Sequence, residues 1–360
     1  MIEIVPIELY YAVFLYFGMF LVLAIILHSY SVNINSNKNL KFLKTSGLVL
    51  LVLVILYIGL RPLSGLFGDM GAYRGFFVNY SRGADVTSTK DVMFHYYMKS
   101  LSSFVTLHTF FLITAILYIF PMYLISKKHF KDYWFYAFIM FVVSFSFYSY
   151  GTNGIRNGMA TSFFLWGLCY PNNKIKMSLF FIFAILFHKT LILPIAAYVI
   201  TLFYNNPKSY IKIWVISIPI SLFLGGVFIS IFTALGFGDD RLAGYLQGES
   251  VASNTFRWDF LFYSAFPVFS GWYFIIKKNF KDVFYNSIFG TYLICNAFWV
   301  LVIRANFSNR FAYLSWFMMA FVIIYPLLKK QFFKNQQIII AKVVTAYFMF
   351  TYLMYIIYYG

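Results

Sequence analysis

Long apolar runs, separated by short polar gaps, fill most of the sequence. They cover residues 7–30, 43–60, 104–125, 133–150, 155–170, 177–204, 211–235, 260–276, 287–303, 311–328 and 338–359. A helix needs about 17 to 25 apolar residues to cross the hydrocarbon core of a bilayer. The chain is 62% hydrophobic and 11% charged, which is more apolar surface than a soluble domain can hide. We therefore expect an all-α polytopic membrane protein with about 11–12 transmembrane helices, folded as a single integral membrane domain over residues 1–360.

The formal net charge of +17 lies mainly in the short gaps between these runs. In that position it indicates membrane topology and contact with anionic membrane lipids, and it argues against nucleic acid as a partner. Lysine-rich gaps at residues 38–44, 127–131, 174–176, 208–212, 277–281 and 329–334 are expected on the cytoplasmic side. Both termini and two longer extracytoplasmic loops, residues 61–103 and 236–258, are then expected outside. Loops of that length are typical of lids or substrate-binding elements.

The run at residues 177–204 begins and ends beside lysine-rich gaps. To return to the cytoplasmic side it has to form a broken or re-entrant helix pair, with its apex near His188. Irregular backbone at membrane depth requires a protein-lined cavity, so we expect His188 to lie in one. A single long helix kinked at Pro194 is the alternative, and it would reverse the side of every later loop.

The two basic residue types differ in their positions. In this topology all eight arginines lie on the outer side, namely Arg61, Arg74, Arg82, Arg156, Arg241, Arg257, Arg304 and Arg310. Of the twenty lysines, only Lys90, Lys99 and Lys189 lie there. The positive-inside rule does not separate arginine from lysine, whereas the planar guanidinium group suits bidentate binding of phosphate oxygens. We predict that pyrophosphate binds to four of these arginines: Arg156, Arg310, Arg304 and Arg61. Pairing of arginines with outer acidic residues is the alternative.

Arg156 stands alone in the stretch SFSFYSYGTNGIRNGMA between two apolar runs. An arginine near hydrocarbon costs roughly 2.5 to 3.5 kcal/mol on insertion scales, so a ligand or partner is expected there. The flanking glycines would let the backbone approach a ligand closely. The free amide groups at the start of a helix favour an anion. These features make Arg156 the first candidate for phosphate binding.

Two residues are candidates for proton transfer. His188 accepts a proton near pH 7 when its ring is neutral, although a histidine in an apolar run also fits a buried packing role. Asp69, in the first outer loop, is either a base or a residue that orients an arginine. Four further residues are predicted to contact glycan: Arg74, Asp91, His95 and Tyr150. For Asp91 and His95 the alternative is capping and solvation of an interfacial helix, and for Tyr150 it is ordinary packing.

Cys169 and Cys295 lie inside apolar runs without metal-ligand spacing, which predicts packing roles. The sequence contains no Walker motif, no HExxH and no acidic metal pair. We therefore expect no cofactor and no metal.

In four pieces, GLRP…GDMGAY, IRNGMA, LFHKTLILP and NRFAYL, the chain resembles the EpsG/Wzy-like family of polysaccharide polymerases. This family extends O-antigen, capsule or exopolysaccharide outside the bacterial inner membrane, and it serves lipopolysaccharide biosynthesis. The pieces extend from Arg61 to Tyr313. Family members often carry a Glu-rich element where this chain reads KDVMFHYYMK with Asp91.

The resemblance implies an inverting, metal-independent glycosyltransferase with a GT-C-like fold. Its substrates would be polyprenyl-pyrophosphate-linked oligosaccharides, such as those on undecaprenyl pyrophosphate, and a chain-length regulator would be a partner. Arg156 and Arg310 would hold the pyrophosphate of the donor. His188 or Asp69 would deprotonate the acceptor hydroxyl.

Two other kinds of activity stay open at this point. An O-antigen ligase or a membrane acyltransferase is one alternative, and an acyltransferase would need a histidine reachable from the cytoplasm. A lipid-linked oligosaccharide flippase or transporter is the other. A transporter would carry ionisable groups along a central path, whereas the predicted topology gathers them at one face.

Overall fold

The computed structural model describes residues 5–234, 255–305 and 308–359. In chain order its helices are α1 (Tyr10–Ser31), α2 (Asn37–Gly59), α3 (Met70–Ser81), α4 (Val92–Ser102), α5 (Leu107–Phe130), α6 (Trp134–Val142), α7 (Phe147–Thr152), α8 (Ile155–Gly167), α9 (Lys174–Phe187), α10 (Ile192–Phe203), α11 (Pro207–Ala234), α12 (Trp258–Trp272), α13 (Val283–Leu301), α14 (Ser308–Lys329) and α15 (Gln336–Tyr359). Within these described ranges every regular element is a helix. Helices satisfy their own backbone groups, as a bilayer requires.

Seven of the described helical segments are long and apolar enough to cross a membrane: Ile7–Ser31, Asn37–Gly59, Leu107–Val142, Pro207–Phe228, Trp258–Lys277, Ser308–Lys329 and Gln336–Tyr358. Lys189–Phe203 is a shorter apolar helix. The expected all-α polytopic membrane protein is therefore confirmed. The expected number of about 11–12 crossings also counts shorter helices, and it stays a prediction.

The chain divides into two compact units. Unit 1 comprises Met1–Leu191 and Leu327–Gly360, and unit 2 comprises Ile192–Pro326. The single membrane domain and the outer position of residues 61–103 stay predictions. Residues 236–254 of the second predicted loop, with Arg241, lie outside the described residues.

Helix α6 forms the centre of unit 1, and all nine of its residues are buried. It packs against α2, α5 and α15. A Cβ atom at Gly47 of α2 would collide with the indole of Trp134, so the glycine lets the two helices approach. The first and last helices of the chain, α1 and α15, also pack on each other, and Gly18 lies against the Phe348 ring. Unit 1 is thus assembled from both ends of the sequence.

The two ends of α2 carry different basic residues. Helix α2 begins beside Lys38 and ends at Gly59, two residues before Arg61. Its 23 residues span about 35 Å at 1.5 Å per residue. The last turn of α5 carries Lys127 and Lys128. The Tyr136 hydroxyl donates to Asn39 Oδ1 over 3.4 Å and so joins α6 to the lysine-bearing end of α2. Lys38 and Arg61 therefore lie at opposite ends of α2, while the membrane side of each end stays a prediction.

The interruption expected within residues 177–204 is present at His188. Helix α9 ends at Phe187, and His188 has an extended backbone with φ −155° and ψ 112°. A 3-10 turn, Lys189–Leu191, precedes α10. Pro194 lies in the first turn of α10, where proline is tolerated. The break is therefore at the histidine and not at the proline, and the return of the chain to the cytoplasmic side stays a prediction.

Helix α13 is the core of unit 2 and packs against α10, α11 and α12. Buried polar side chains connect it to its neighbours. Trp214 of α11 donates to Asn296 Oδ1 over 2.7 Å, and Asn296 Nδ2 donates to Ser315 Oγ of α14 over 2.9 Å. An unpaired polar group would be costly in this apolar interior, so these contacts specify which helices adjoin.

Candidate functional site

The polar residues of unit 1 meet at the start of α8. Arg156 Nη1 lies 3.0 Å from Asp91 Oδ2, which makes an ion pair between α8 and the residue that precedes α4. The Asp91 side chain is 8% exposed, whereas that of Arg156 is 34% exposed. The carboxylate is therefore enclosed, while about a third of the Arg156 side chain is exposed.

Asp91 also contacts a third segment of unit 1. Its Oδ1 accepts a hydrogen bond of 3.4 Å from the backbone amide of Lys189, in the turn after α9. Asp91 has a left-handed backbone with φ 49° and ψ 42°, a conformation that aspartate and asparagine tolerate better than most residues. Its carbonyl oxygen accepts from the amide groups of Phe94 and His95, which starts α4. One carboxylate thus joins α4, α8 and the turn that follows His188.

Tyr73 of α3 completes the surroundings of Arg156. Its phenol and the guanidinium group interact electrostatically, and the Tyr73 side chain is buried. Burial raises the pKa of Tyr73, which keeps the phenol protonated near neutral pH. The charge of Asp69 acts on Tyr73 and Arg156, although the Asp69 side chain itself is exposed. Tyr73 and Asp91 therefore fix Arg156 from two sides.

A tight turn positions Asp69. The amide of Asp69 donates to Asn153 Oδ1 over 2.9 Å. Gly68 has φ 63°, and a Cβ atom there would collide with the Asn153 side chain. Only glycine fits at residue 68, because other residues disfavour a positive φ and their Cβ atom would have no room beside Asn153. The predicted base Asp69 is thereby held against Asn153, which lies in the turn between α7 and α8, three residues before Arg156.

His95 is buried one turn after Asp91. Its Nδ1 shares a hydrogen bond of 2.9 Å with the Tyr80 hydroxyl. Burial and then the charge of Arg156 lower the pKa of His95, against the opposite effect of Asp91. A histidine in this position is neutral at physiological pH. Its contact with Tyr80 makes it a residue that joins α3 to α4.

We expect the protein to lose stability as the pH falls below about 6.5. The unfolded chain binds a proton at His95 with a pKa near 6.5, whereas the folded protein has a lower pKa there. Protons therefore favour the unfolded state in this range, and the free energy of unfolding decreases. His95→Asn keeps a polar atom for Tyr80 but does not titrate, so it should weaken the dependence. The measurement is the unfolding midpoint in detergent at about pH 7.5 and 5.5. An equal change in midpoint for the wild-type protein and His95→Asn would contradict the prediction.

His188 is half-buried, and its Nδ1 lies 2.7 Å from Thr190 Oγ1. It directly precedes Lys189, whose amide reaches Asp91. The structure therefore brings the segment of His188 to the Arg156–Asp91 pair. Its role as a base stays a prediction.

Arg61 is enclosed by protein, with 1% of its surface exposed. It donates to the carbonyl oxygens of Ile58, at 2.6 Å, and Thr152, at 3.0 Å. The Phe111 ring centroid lies 4.6 Å from its guanidinium carbon. Burial lowers the pKa of Arg61 to about 10. These contacts hold the C-terminal ends of α2 and α7 together, where helix dipoles favour a cation, and pyrophosphate binding by Arg61 stays a prediction.

Four predicted site residues remain. Arg74 is exposed on α3, and Tyr150 is half-buried with its ring beside Gly154. Arg304 and Arg310 belong to unit 2. Arg304 Nη2 donates to the Leu222 carbonyl over 3.4 Å, and Arg310 is exposed in the first turn of α14. Their predicted grouping with Arg156 stays a prediction.

Arginines pair with acidic residues at two described positions. Besides Arg156 and Asp91, Arg257 makes a bidentate pair with Asp259, with N–O distances of 3.0 and 2.7 Å. The Arg257 guanidinium also lies over the Phe260 ring at 3.6 Å. The pairing alternative therefore applies to Arg257. Arg156 differs because its partner is the enclosed member of the pair.

Within the described ranges, no three His, Cys, Asp or Glu side chains lie close enough to hold a metal ion. Metal independence stays a prediction. Cys169 and Cys295 are buried free thiols, in agreement with packing roles.

Two parts of the candidate site gave no signal in the sequence. The Lys189 contact uses a backbone amide, which every residue except proline carries. Tyr80 is one of 31 tyrosines, so only the fold distinguishes it. Gly154 and Gly158, beside Arg156, make room for Tyr150 and Tyr118, and the close approach of the backbone to a ligand expected there stays a prediction.

These observations define a multi-pass helical membrane protein with a partly open, carboxylate-paired arginine at the start of α8. The family model of the EpsG family matches residues 44–360, and the chain belongs to that family. Membership indicates a polysaccharide-polymerase type of function and a glycosyltransferase-like activity. Comparison with curated proteins and with solved structures gives no match.

Proposed function

We propose that this protein is a polysaccharide polymerase of the bacterial inner membrane. It transfers a polyprenyl-pyrophosphate-linked glycan, with inversion at the anomeric carbon, onto the non-reducing end of another lipid-linked repeat unit. The reaction takes place at the outer, periplasmic face. Support comes from the EpsG family match and from the polar cluster around Arg156.

The partly exposed side chain of Arg156, paired with an enclosed carboxylate, is the observation on which the proposal rests. In the transfer step the acceptor hydroxyl loses its proton, and its oxygen electron pair forms a bond to the anomeric carbon. The bond from that carbon to the diphosphate breaks, and its electron pair leaves with the diphosphate. Negative charge thus grows on the leaving group, so a fixed guanidinium group stabilises the transition state more than the ground state. Tyr73 and Asp91 keep Arg156 in one orientation and so reduce the cost of reorganisation.

The proton of the acceptor hydroxyl passes to His188 or to Asp69. Both belong to segments that reach the Arg156 cluster, His188 through Lys189 and Asp69 through Asn153. Thr190, at 2.7 Å from Nδ1, orients the His188 ring.

We expect His188→Asn to lower turnover by about 10² to 10⁴-fold, the usual contribution of a general base. Asp69→Asn should lower it by less than about tenfold if Asp69 only orients its neighbours. The measurement is the rate of glycan extension at saturating substrate, with the melting temperature as the folding control. The reverse order of the two effects would assign the base to Asp69.

The activity itself is tested with purified protein in proteoliposomes supplied with lipid-diphosphate repeat units. A ladder of products that grows by one repeat per step is expected. A single product with one added glycan would instead point to a ligase. Movement of the lipid-linked glycan across the bilayer without any new linkage would point to a flippase.

A further inference from the structure

Two buried polar atoms without hydrogen-bond partners lie beside α11 in unit 2. Arg304 Nε, after the end of α13, and Ser221 Oγ, on α11, are both enclosed and bond to no described residue. The Ser221 side chain is fully buried. Among the described residues the Arg304 guanidinium group makes one hydrogen bond, over 3.4 Å to the Leu222 carbonyl, and it belongs to none of the ion pairs. Burial of unpaired polar groups is costly, so these two atoms indicate a ligand.

Gly225, one turn after Ser221, leaves room between the two unpaired atoms. A Cβ atom built at Gly225 would lie 3.7 Å from Arg304 Cδ, 3.7 Å from Ser221 Oγ and 4.0 Å from Arg304 Nε. These are ordinary contact distances, so a further atom fits there without collision. An acceptor oxygen that enters between Arg304 and Ser221 can take hydrogen bonds from both side chains.

The position of this site along the helices places it near the level of lipid headgroups. Helix α11 begins at Pro207, so Gly225 lies about 27 Å along it at 1.5 Å per residue. Arg304 follows α13, whose 19 residues span about 28 Å. The hydrocarbon core of a bilayer is about 30 Å thick. Phe223 and Leu224, which adjoin the site on α11, are exposed apolar residues, so a membrane lipid can reach Arg304 from the side.

We propose that Arg304 and Ser221 bind the phosphodiester of an anionic membrane phospholipid. The guanidinium group supplies charge and N–H donors, and the Ser221 hydroxyl supplies a second donor for the phosphate oxygens. Phosphatidylglycerol is favoured over phosphatidylcholine, because the ammonium group of phosphatidylcholine would lie beside the guanidinium charge. This ligand is a lipid of the surrounding bilayer, and it differs from the diphosphate that the sequence predicted for Arg304. The inference goes beyond the proposed function and does not depend on it.

Gly225→Ala is the principal test variant, because it fills the room for the phosphate oxygen and removes no polar group. Its methyl group meets Arg304 and Ser221 at contact distance, and alanine is favoured over glycine inside a helix, so we expect the variant to fold. Gly226→Ala is the matched control, since no described atom lies within 4 Å of a Cβ built at Gly226. Arg304→Gln, which removes the charge, is the second test variant.

The experiment counts the phosphatidylglycerol molecules that the purified full-length protein retains in detergent, by native mass spectrometry. The wild-type protein and Gly226→Ala should each retain one more molecule than Gly225→Ala and Arg304→Gln. Lysine-rich gaps also attract anionic lipid, so the difference between the proteins reports this site, whereas the total does not. With phosphatidylcholine in place of phosphatidylglycerol, the difference should disappear.

Equal retention of phosphatidylglycerol by the wild-type protein and Gly225→Ala would overturn the inference. So would an equal loss in Gly226→Ala, or the same difference with phosphatidylcholine. Displacement of the lipid by inorganic phosphate would assign the site to free phosphate, and displacement by farnesyl diphosphate would assign Arg304 to the substrate site; either result would also overturn the inference. The readout does not involve glycan extension, so a failure to make the polymer ladder leaves this inference intact.

Discussion

Arg156→Lys should reduce glycan extension by about 10² to 10³-fold, the usual effect of removing one donor to a developing oxyanion. Lysine keeps the positive charge but loses the planar fork that contacts Asp91 and Tyr73 together. The ammonium group can satisfy one of these partners, so the part of the side chain that faces the ligand is no longer fixed. The loss should appear in the rate at saturating substrate more than in the Michaelis constant, because the interaction is strongest in the transition state.

The matched control is Arg82→Lys. Arg82 is exposed at the end of α3, so the same chemical change occurs away from the candidate site. Both variants should be produced at wild-type levels and unfold at similar temperatures. An Arg156→Lys protein that extends glycan at more than half the wild-type rate would contradict the role given to the guanidinium group.

Gly158→Ala should destabilise unit 1 and misplace Arg156. A Cβ atom at residue 158 would lie 2.5 Å from the carbonyl oxygen of Tyr150 and 3.2 Å from the Tyr118 ring. The first neighbour is backbone, so relief requires α7 to move away from α8. Overpacking of this kind costs about 1 to 3 kcal/mol, and the movement shifts the first turn of α8, where Arg156 lies.

Gly75→Ala tests the same substitution in an open position. No atom lies within 4 Å of a Cβ built at Gly75 on α3. Alanine is favoured over glycine inside a helix by about 0.5 to 1 kcal/mol, so this variant should be as stable as wild type or slightly more stable. The unfolding midpoint in detergent and the extension rate are the two measurements. Equal behaviour of both variants would show that the contact between α7 and α8 does not control the site.

The positions of the long apolar helices followed from the sequence because apolar length is a local property, whereas α3 and the division of residues 133–150 into α6 and α7 did not. The break at His188 also followed, since lysine-rich gaps on both sides of residues 177–204 required an interruption. The family resemblance seen in four short pieces was confirmed by the match over residues 44–360. Each of these features is determined by a short, continuous stretch of sequence.

The contacts of the candidate site did not follow from the sequence. Asp91 pairs with Arg156, 65 residues later, and with the amide of Lys189, 98 residues later. No periodicity links such distant positions. Arg61 and Arg156 were assigned the same role because both are arginines in the predicted outer region. Only the fold separates them, because it encloses Arg61 and leaves Arg156 partly open.

Unit 1 contains helices from both ends of the sequence, and this has a consequence for biosynthesis. Helix α1 is translated well before one of its packing partners, α15. During insertion the face of α1 around Gly18 contacts lipid or the insertion machinery until Phe348 of α15 packs on it. A protein truncated after α14 would leave this face of α1 uncovered. We expect such a protein to be degraded by quality-control proteases.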